Sequence, residues 1–135
     1  MKQGPLFVAV SIAATLSLST TAKADPCEAA LPKPGVQFDG AVQYVGDGDS
    51  LCVGRSSDPK TWIEVRVADF YAPELHAPGG KQAKAMLERI ALGKPIQCLA
   101  GKRSYDRVVA QCSVSGTLIA DLMRRAGVPE GGHGR

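Results

Sequence analysis

The stretch Thr61-Trp-Ile-Glu-Val-Arg-Val-Ala-Asp-Phe-Tyr-Ala-Pro-Glu74, with the segment Lys81-Gln-Ala-Lys-Ala-Met-Leu-Glu-Arg-Ile-Ala-Leu92 that follows it, decides the fold. Its first half alternates apolar and polar side chains around Val65 and Val67. Pro73 stops the run because it cannot donate to a sheet ladder, so a strand is predicted from Thr61 to about Tyr71. In the second half the period changes. Ala83, Met86, Leu87, Ile90 and Ala91 share one face, with Lys81, Lys84, Glu88 and Arg89 opposite, which predicts an amphipathic helix ended by Gly93. Arg66 sits inside the strand and Glu74 just past its end. A guanidinium offers a fixed fork of donors to a phosphate, and a carboxylate beside it can activate water. The alternative is a surface ion pair, which contributes little to stability.

Upstream, Phe38, Gly40, Val42 and Tyr44 alternate with more polar neighbours, so Gln37 to Val45 reads as a first strand. Gly46-Asp47-Gly48 turns the chain into a second strand that begins at Asp49, and Asp58-Pro59 marks the next turn. Downstream of the helix, Ile96, Cys98 and Ala100 form one face of a fourth strand. Gly101 to Asp106 reads as a basic loop, Arg107 to Val114 as a fifth strand, and Thr117 to Ala126 as a second helix with Leu118, Leu122 and Ile119 inward and Gly127 as its stop. Three strands, a helix, two strands and a helix predict a mainly β (α+β) chain: a five-stranded OB-fold barrel with a helix between strands three and four and a C-terminal helix. An open antiparallel sheet carrying two helices would use the same elements.

Not all 135 residues belong to that barrel. Lys2, the apolar run Leu6 to Leu18 and Ala22-Lys23-Ala24 have the form of a secretory signal, so 1–24 is expected to be removed and the product secreted or periplasmic. The apolar part is short for a membrane anchor. Residues 25–36, with Pro26, Pro32 and Pro34, read as an extended arm, 37–128 as the barrel domain, and the Gly-rich 129–135 as a flexible tail. Loss of Lys2 and Lys23 leaves 14 basic against 13 acidic residues, hence no strong overall field for a polyanion. Nucleic acid would need a local cluster, and Lys102, Arg103 and Arg107 form the densest one. Arg124 and Arg125, near a helix end where cations suit the dipole, read as a solvated face.

Four cysteines in an exported chain of this size predict two disulfides, for which the count alone allows three connectivities. Cys98 and Cys112 occupy strand positions across a hairpin and are paired on that ground, leaving Cys27 with Cys52. No C-x-x-C occurs and the two histidines, His76 and His133, are far apart, which argues against zinc. His76 lies in a Pro-Gly loop and is not assigned a role.

Four separated pieces are similar to one family. Gly48-Asp49-Ser50 before a strand, Arg66 with Ala72-Pro73-Glu74, Ser104-Tyr105-Asp106-Arg107 opening a strand, and the Leu122 to Gly127 helix end resemble the thermonuclease, or staphylococcal nuclease-like, family over about Gln37 to Val128. The resemblance implies an exported nuclease acting on DNA or RNA as a monomer, with Glu74 activating water and Arg66 and Arg107 holding the scissile phosphate. It also implies calcium bound by Asp49; the Ala72 carbonyl is a further candidate ligand, and Lys102, Arg103 and Tyr105 are candidate substrate contacts. Two guanidiniums suit the negative charge that phosphodiester cleavage builds, and calcium is a hard ion that takes oxygen ligands.

The chain also departs from that pattern. Tyr71 stands where the family keeps a second metal-binding aspartate, and Asp69, two residues earlier and on the same face of a regular strand, is the candidate replacement. Tyr71 itself reads either as core or as a base-stacking ring. Asp106 replaces a glycine before Arg107, and a third C-terminal helix is missing. A barrel that binds single strands or another anion without turnover, through Tyr71 and the Lys102-Arg103 loop, is the rival function. A disulfide-stapled structural domain is a third.

Overall fold

A computed structural model of the chain describes residues 2–17 and 25–131, so the Ala22-Lys23-Ala24 cleavage motif, Leu18 and His133 lie outside the described residues. The elements run β1 (Gln37–Asp47), β2 (Ser50–Gly54), a single 3-10 turn (Pro59–Thr61), β3 (Ile63–Val67), α1 (Gly80–Ala91), β4 (Pro95–Ser104), β5 (Arg107–Val114), β6 (Thr117–Leu118) and α2 (Ile119–Arg125). Strand order is β3-β2-β1-β4-β5-β6, antiparallel throughout except where β3 pairs in parallel with β5. That parallel pair closes the first five strands into a barrel of the OB-fold type, with α1 between β3 and β4.

Closure depends on β1 bending. Its first half pairs with β4 and its second with β2, and register shifts between Val42 and Tyr44 and between Val45 and Asp47 supply the bulges that coil it from one partner to the other. Inside, Leu51, Val65, Val67, Phe70, Ile96 and Val108 are fully buried. Ala83, Leu87 and Ala91, spaced four apart on α1, close one end against them, while Met86 and Ile90 are only half-buried at the rim.

Three elements differ from expectation. The third strand stops at Val67 rather than Tyr71, because Asp69 turns the chain with φ at 63°. The basic loop at Gly101 to Asp106 is mostly strand: β4 continues to Ser104 through a bulge after Ala100, leaving only Tyr105-Asp106 to turn. Ser115 and Gly116 both take positive φ, a two-residue hairpin that lays Thr117–Leu118 against Ser113–Val114 as a sixth strand. The helix therefore starts two residues late. Ile119, Ala120 and Met123 face the core, Leu122 is half-buried, and Leu118 is exposed.

Both disulfides join the predicted partners, Cys27 with Cys52 and Cys98 with its cross-strand neighbour Cys112. The first ties the N-terminal arm to β2. Hydrogen bonds from Glu28 N–H to the Pro59 carbonyl and from Ala29 N–H to the Trp62 carbonyl continue the attachment. At the other end, the tail does not splay at its start: Gly131 N–H bonds the Tyr71 carbonyl at 3.0 Å. Among the described residues no helix is long and apolar enough to cross a membrane.

The β1–β2 turn needs Gly48. A Cβ there would lie 2.6 Å from the Cβ atoms of both Ala72 and Ala83, so the turn can rest on the β3–α1 connection and on α1 only without a side chain. Gly48→Ala is therefore expected to lower stability by about 1–3 kcal/mol, read as a shifted urea midpoint with unchanged slope. An unshifted midpoint would show that the turn is not pinned there.

Candidate active site

Residues on β3 alternate strictly, so Val65 and Val67 face the core while Glu64 and Arg66 share the outer face. On β5 the outer face carries Arg107 and Val109, and the parallel register sets Arg66 beside Val109. The β1–β2 turn brings Asp49 to the same place, and the connection after β3 brings Tyr71, Ala72 and Glu74. A cavity of about 320 Å³ results, walled by Asp47, Asp49, Arg66, Asp69, Tyr71, Ala72, Glu74, Lys102, Ser104, Tyr105 and Arg107 among others.

Arg66 is held on several sides. Its Nη1 donates to the carbonyls of Val67 at 2.6 Å and Phe70 at 2.9 Å, and its Nη2 lies 3.2 Å from Asp49 Oδ2. The Tyr71 ring is under the guanidinium, 5.1 Å from its centroid. None of the described residues takes its Nε–H.

Asp49 is almost entirely buried and accepts the Ala72 N–H at 2.9 Å as well as facing Arg66. Burial, followed by the hydrogen bond and charge of Asp47, pushes its carboxyl up to about 7, against the pull of Arg66 and the Ala72 amide. Burial also works against the Asp47 charge. Its hydrogen bonds with Asp49 and Ser50 outweigh that and hold its pKa below the ordinary value. Asp47 Oδ1 accepts the Asp49 N–H at 3.0 Å and the Ser50 hydroxyl at 2.8 Å, which fixes the turn.

Glu74 is exposed on the cavity wall, and no described residue bonds its carboxylate. The turn that carries it folds back so closely that a Cβ at Gly80 would collide with the Glu74 and Leu75 carbonyls. Arg107 is half-buried on the first residue of β5, on the same face as Arg66 of the neighbouring β3. Glu74, Arg66 and Arg107 thus reach one cavity from three separate segments. Lys102 and the 90% exposed ring of Tyr105 rim it. Arg103 does not line it: its Nε donates to the Tyr105 carbonyl at 2.7 Å.

Asp69 reaches the wall but is not gathered with Asp49. The strand has already ended, and Asp69 Oδ2 instead accepts from Gln111 Nε2 at 3.1 Å. Tyr71 is 43% exposed at the wall, not core. Among the described residues, no three Asp, Glu, His or Cys side chains come together to hold a metal. Calcium takes six to eight oxygens. Asp47 and Asp49, with the Ala72 N–H rather than its carbonyl turned to Asp49, fall short of that set, so the described residues do not form an all-protein calcium cage.

The motif reading missed two carboxylates beside Arg107. Glu64, two residues before Arg66 and thus legibly on the same face, is almost fully buried under the N-terminal arm and hydrogen-bonds Asp25. Burial, then the charges of Asp106 and Asp25, push Glu64 up to about 7, and burial with the Asp47 charge raises Asp25. A carboxyl whose folded pKa exceeds its unfolded value adds stability that is complete below that unfolded value, near 4, and gone above the folded one. Unfolding free energy is therefore expected to fall between about pH 4 and pH 7, and Glu64→Gln to flatten that slope. Urea titrations at a series of pH values check it; an equally steep variant would clear Glu64 of the effect.

A larger groove, about 520 Å³, crosses the outer face of β1, β4 and β5. Its wall mixes the amides of Gln37, Gln97 and Gln111 with apolar side chains, and the one cation among its lining residues, Arg55, is paired with Asp39 at 2.6 Å. The smaller cavity, where Arg66 keeps its Nε–H and Arg107 has no hydrogen-bond partner among the described residues, is the better place for a phosphate. Compared with known proteins, the chain matches no family model and no curated protein.

Proposed function

We propose that this chain is an exported phosphodiesterase of the thermonuclease type, hydrolysing DNA or RNA. The observation that carries the reading is the convergence of Arg66, Glu74 and Arg107 on one cavity from β3, the β3–α1 connection and β5. Glu74, exposed and without a partner among the described residues, takes a proton from an attacking water. Arg66, pre-set by two carbonyls and Asp49, and Arg107 from the neighbouring strand stabilise the charge that grows on the phosphoryl oxygens. Among the described residues the carboxylates do not complete a calcium site, and the chain's own side chains carry the proposed chemistry. The leader-like segment 1–24 and the two disulfides support export.

A second reading, a single-strand or anion binder without turnover, is favoured by one feature. Asp49 is engaged by Arg66 and Ala72 and Asp69 by Gln111, while the rings of Tyr71 and Tyr105 stand open for stacking. The oxidised mature protein, incubated with single-stranded DNA and with RNA in calcium or chelator, separates the two. Cleavage that Glu74→Gln reduces at least about a hundredfold is expected. Equal cleavage by both proteins would remove Glu74 from the mechanism, and salt-sensitive binding without cleavage would establish the second reading. The chelator arm reports what calcium contributes.

A further inference from the structure

The turn that ends β3 is gripped from behind. The Asp69 carbonyl accepts from Arg124 Nη2, the Tyr71 N–H donates to Glu130 Oε1 at 3.3 Å, and the Tyr71 carbonyl accepts the Gly131 N–H at 3.0 Å. Arg124 and Glu130 are themselves paired at 3.2 Å, and the Arg124 guanidinium stands 5.9 Å from the centroid of the buried Phe70 ring. From the cavity side, the Phe70 carbonyl of the same turn is one of the two that hold Arg66 Nη1. One three-residue segment therefore carries Arg124 and Glu130 on one side and Arg66 on the other.

We infer that the Arg124–Glu130 pair is a positioning clamp that sets the Arg66 guanidinium through the 69–71 turn. The inference rests on the nuclease reading for its effect on rate, not for the clamp itself. Asp69 at φ 63° is in a conformation that L-residues adopt at a cost, so the turn keeps its shape only where surrounding contacts over-determine it. Packing of Phe70 fixes its depth, whereas the orientation of its peptide planes depends on the hydrogen bonds at Asp69 and Tyr71. Rotation of the Phe70 carbonyl would remove one of Arg66's two backbone acceptors. Arg124 and Glu130 do not line the cavity and touch no reacting group.

The test uses Glu130→Ala, with Glu130→Gln retaining an acceptor for the Tyr71 N–H, and Arg124→Gln as a second break. Both positions changed are at the surface, 40% and 44% exposed in the side chain for Glu130 and Arg124, so folding is preserved. In Glu130→Ala the Tyr71 amide is expected to exchange about tenfold faster, the size of one lost hydrogen bond. Arg66 guanidinium NMR signals are expected to change from slow to fast rotation, and Glu130→Gln to restore part of both. On nucleic acid, kcat should fall ten- to a hundredfold, roughly the cost of a misplaced group, with KM within about twofold. Unchanged Arg66 rotation in both Glu130→Ala and Arg124→Gln would overturn the clamp whether or not the protein cleaves. Freed rotation with kcat unaltered would overturn its role in positioning for catalysis. Absence of cleavage by the unmodified protein would instead sink the nuclease reading, with the guanidinium signals still deciding whether the clamp exists.

Discussion

Arg66→Met is expected to remove phosphodiester cleavage by about a hundred- to a thousandfold and to destabilise the fold, with the second effect strongly dependent on pH. Under the proposed function, the rate loss is that of one pre-set donor group aimed at a developing oxyanion. The stability loss follows from what Arg66 leaves behind. Two backbone carbonyls lose a charged donor, and Asp49, almost fully buried, loses the cation 3.2 Å away. Breaking a buried pair from one side typically costs about 3–5 kcal/mol because the remaining charge is uncompensated. Asp49 can escape part of that cost by taking a proton, since its pKa is already pushed up to about 7 by burial and Asp47, and losing Arg66 pushes it further. The penalty should therefore be smallest near pH 5, where the carboxyl is neutral, and largest near pH 8, where folding must bury it charged or protonate it against the solution. Urea unfolding at the two pH values, beside kcat, reads both. An Arg66→Met protein equally destabilised at pH 5 and pH 8 would show that Asp49 is not the group left unpaired. Arg66→Lys is expected to keep much of the stability and little of the rate, since a point charge replaces the fork that spans two carbonyls and a carboxylate.

Patterning carried the barrel further than it carried the site. The alternation of Val65 and Val67, the switch to helical spacing at Ala83 and Leu87, and the hairpin positions of Cys98 and Cys112 all express one-body facts about which side of an element is buried, and each holds in the folded chain. Asp69 is different. Its placement on the Tyr71 face presumed that the strand ran on, and a single residue at φ 63° ends the alternation and sends the carboxylate to Gln111. Asp tolerates that conformation better than most residues but does not dictate it, and Phe70, buried in the core three residues beyond the last strand position, shows where the chain has to go. The sixth strand escaped notice for a similar reason: Ser115-Gly116 was legible as a turn, but whether two residues after it pair or coil depends on the free edge of β5. Arg103, one position from Lys102, points away because the β4 bulge changes which side chains face the cavity. Glu64 was readable by its spacing from Arg66. What could not be read was its burial, which comes from an arm with no periodicity of its own.

That arm gives the other large effect. The double substitution Cys27→Ala and Cys52→Ala is expected to lower stability by about 3–4 kcal/mol, since the bridge closes a chain separation of 25 residues. In a domain this small that is a drop in Tm on the order of 15 °C. Chain entropy is only part of the consequence. Cys52 is fully buried in β2, but Cys27 belongs to the start of the arm, which is otherwise held by backbone bonds at Pro59 and Trp62 and the Asp25–Glu64 carboxyl contact, whereas the later part is fixed by Leu31 on the core and by Gly35 and Val36 at Ala100. Without the bridge the arm lifts, water reaches Glu64, and its raised pKa relaxes toward the ordinary carboxylate range. The double variant should thus be less stable at every pH yet lose the decline in stability between about pH 4 and pH 7 that Glu64 contributes. Removing Cys98 and Cys112 makes the contrast. That bridge spans 14 residues between strands already paired directly, and both sulfurs are buried. Its loss should cost about 3 kcal/mol and leave the pH slope intact. Equal pH slopes in the two double variants would mean that the arm covers Glu64 without help from the disulfide, and that the barrel alone sets that group's titration.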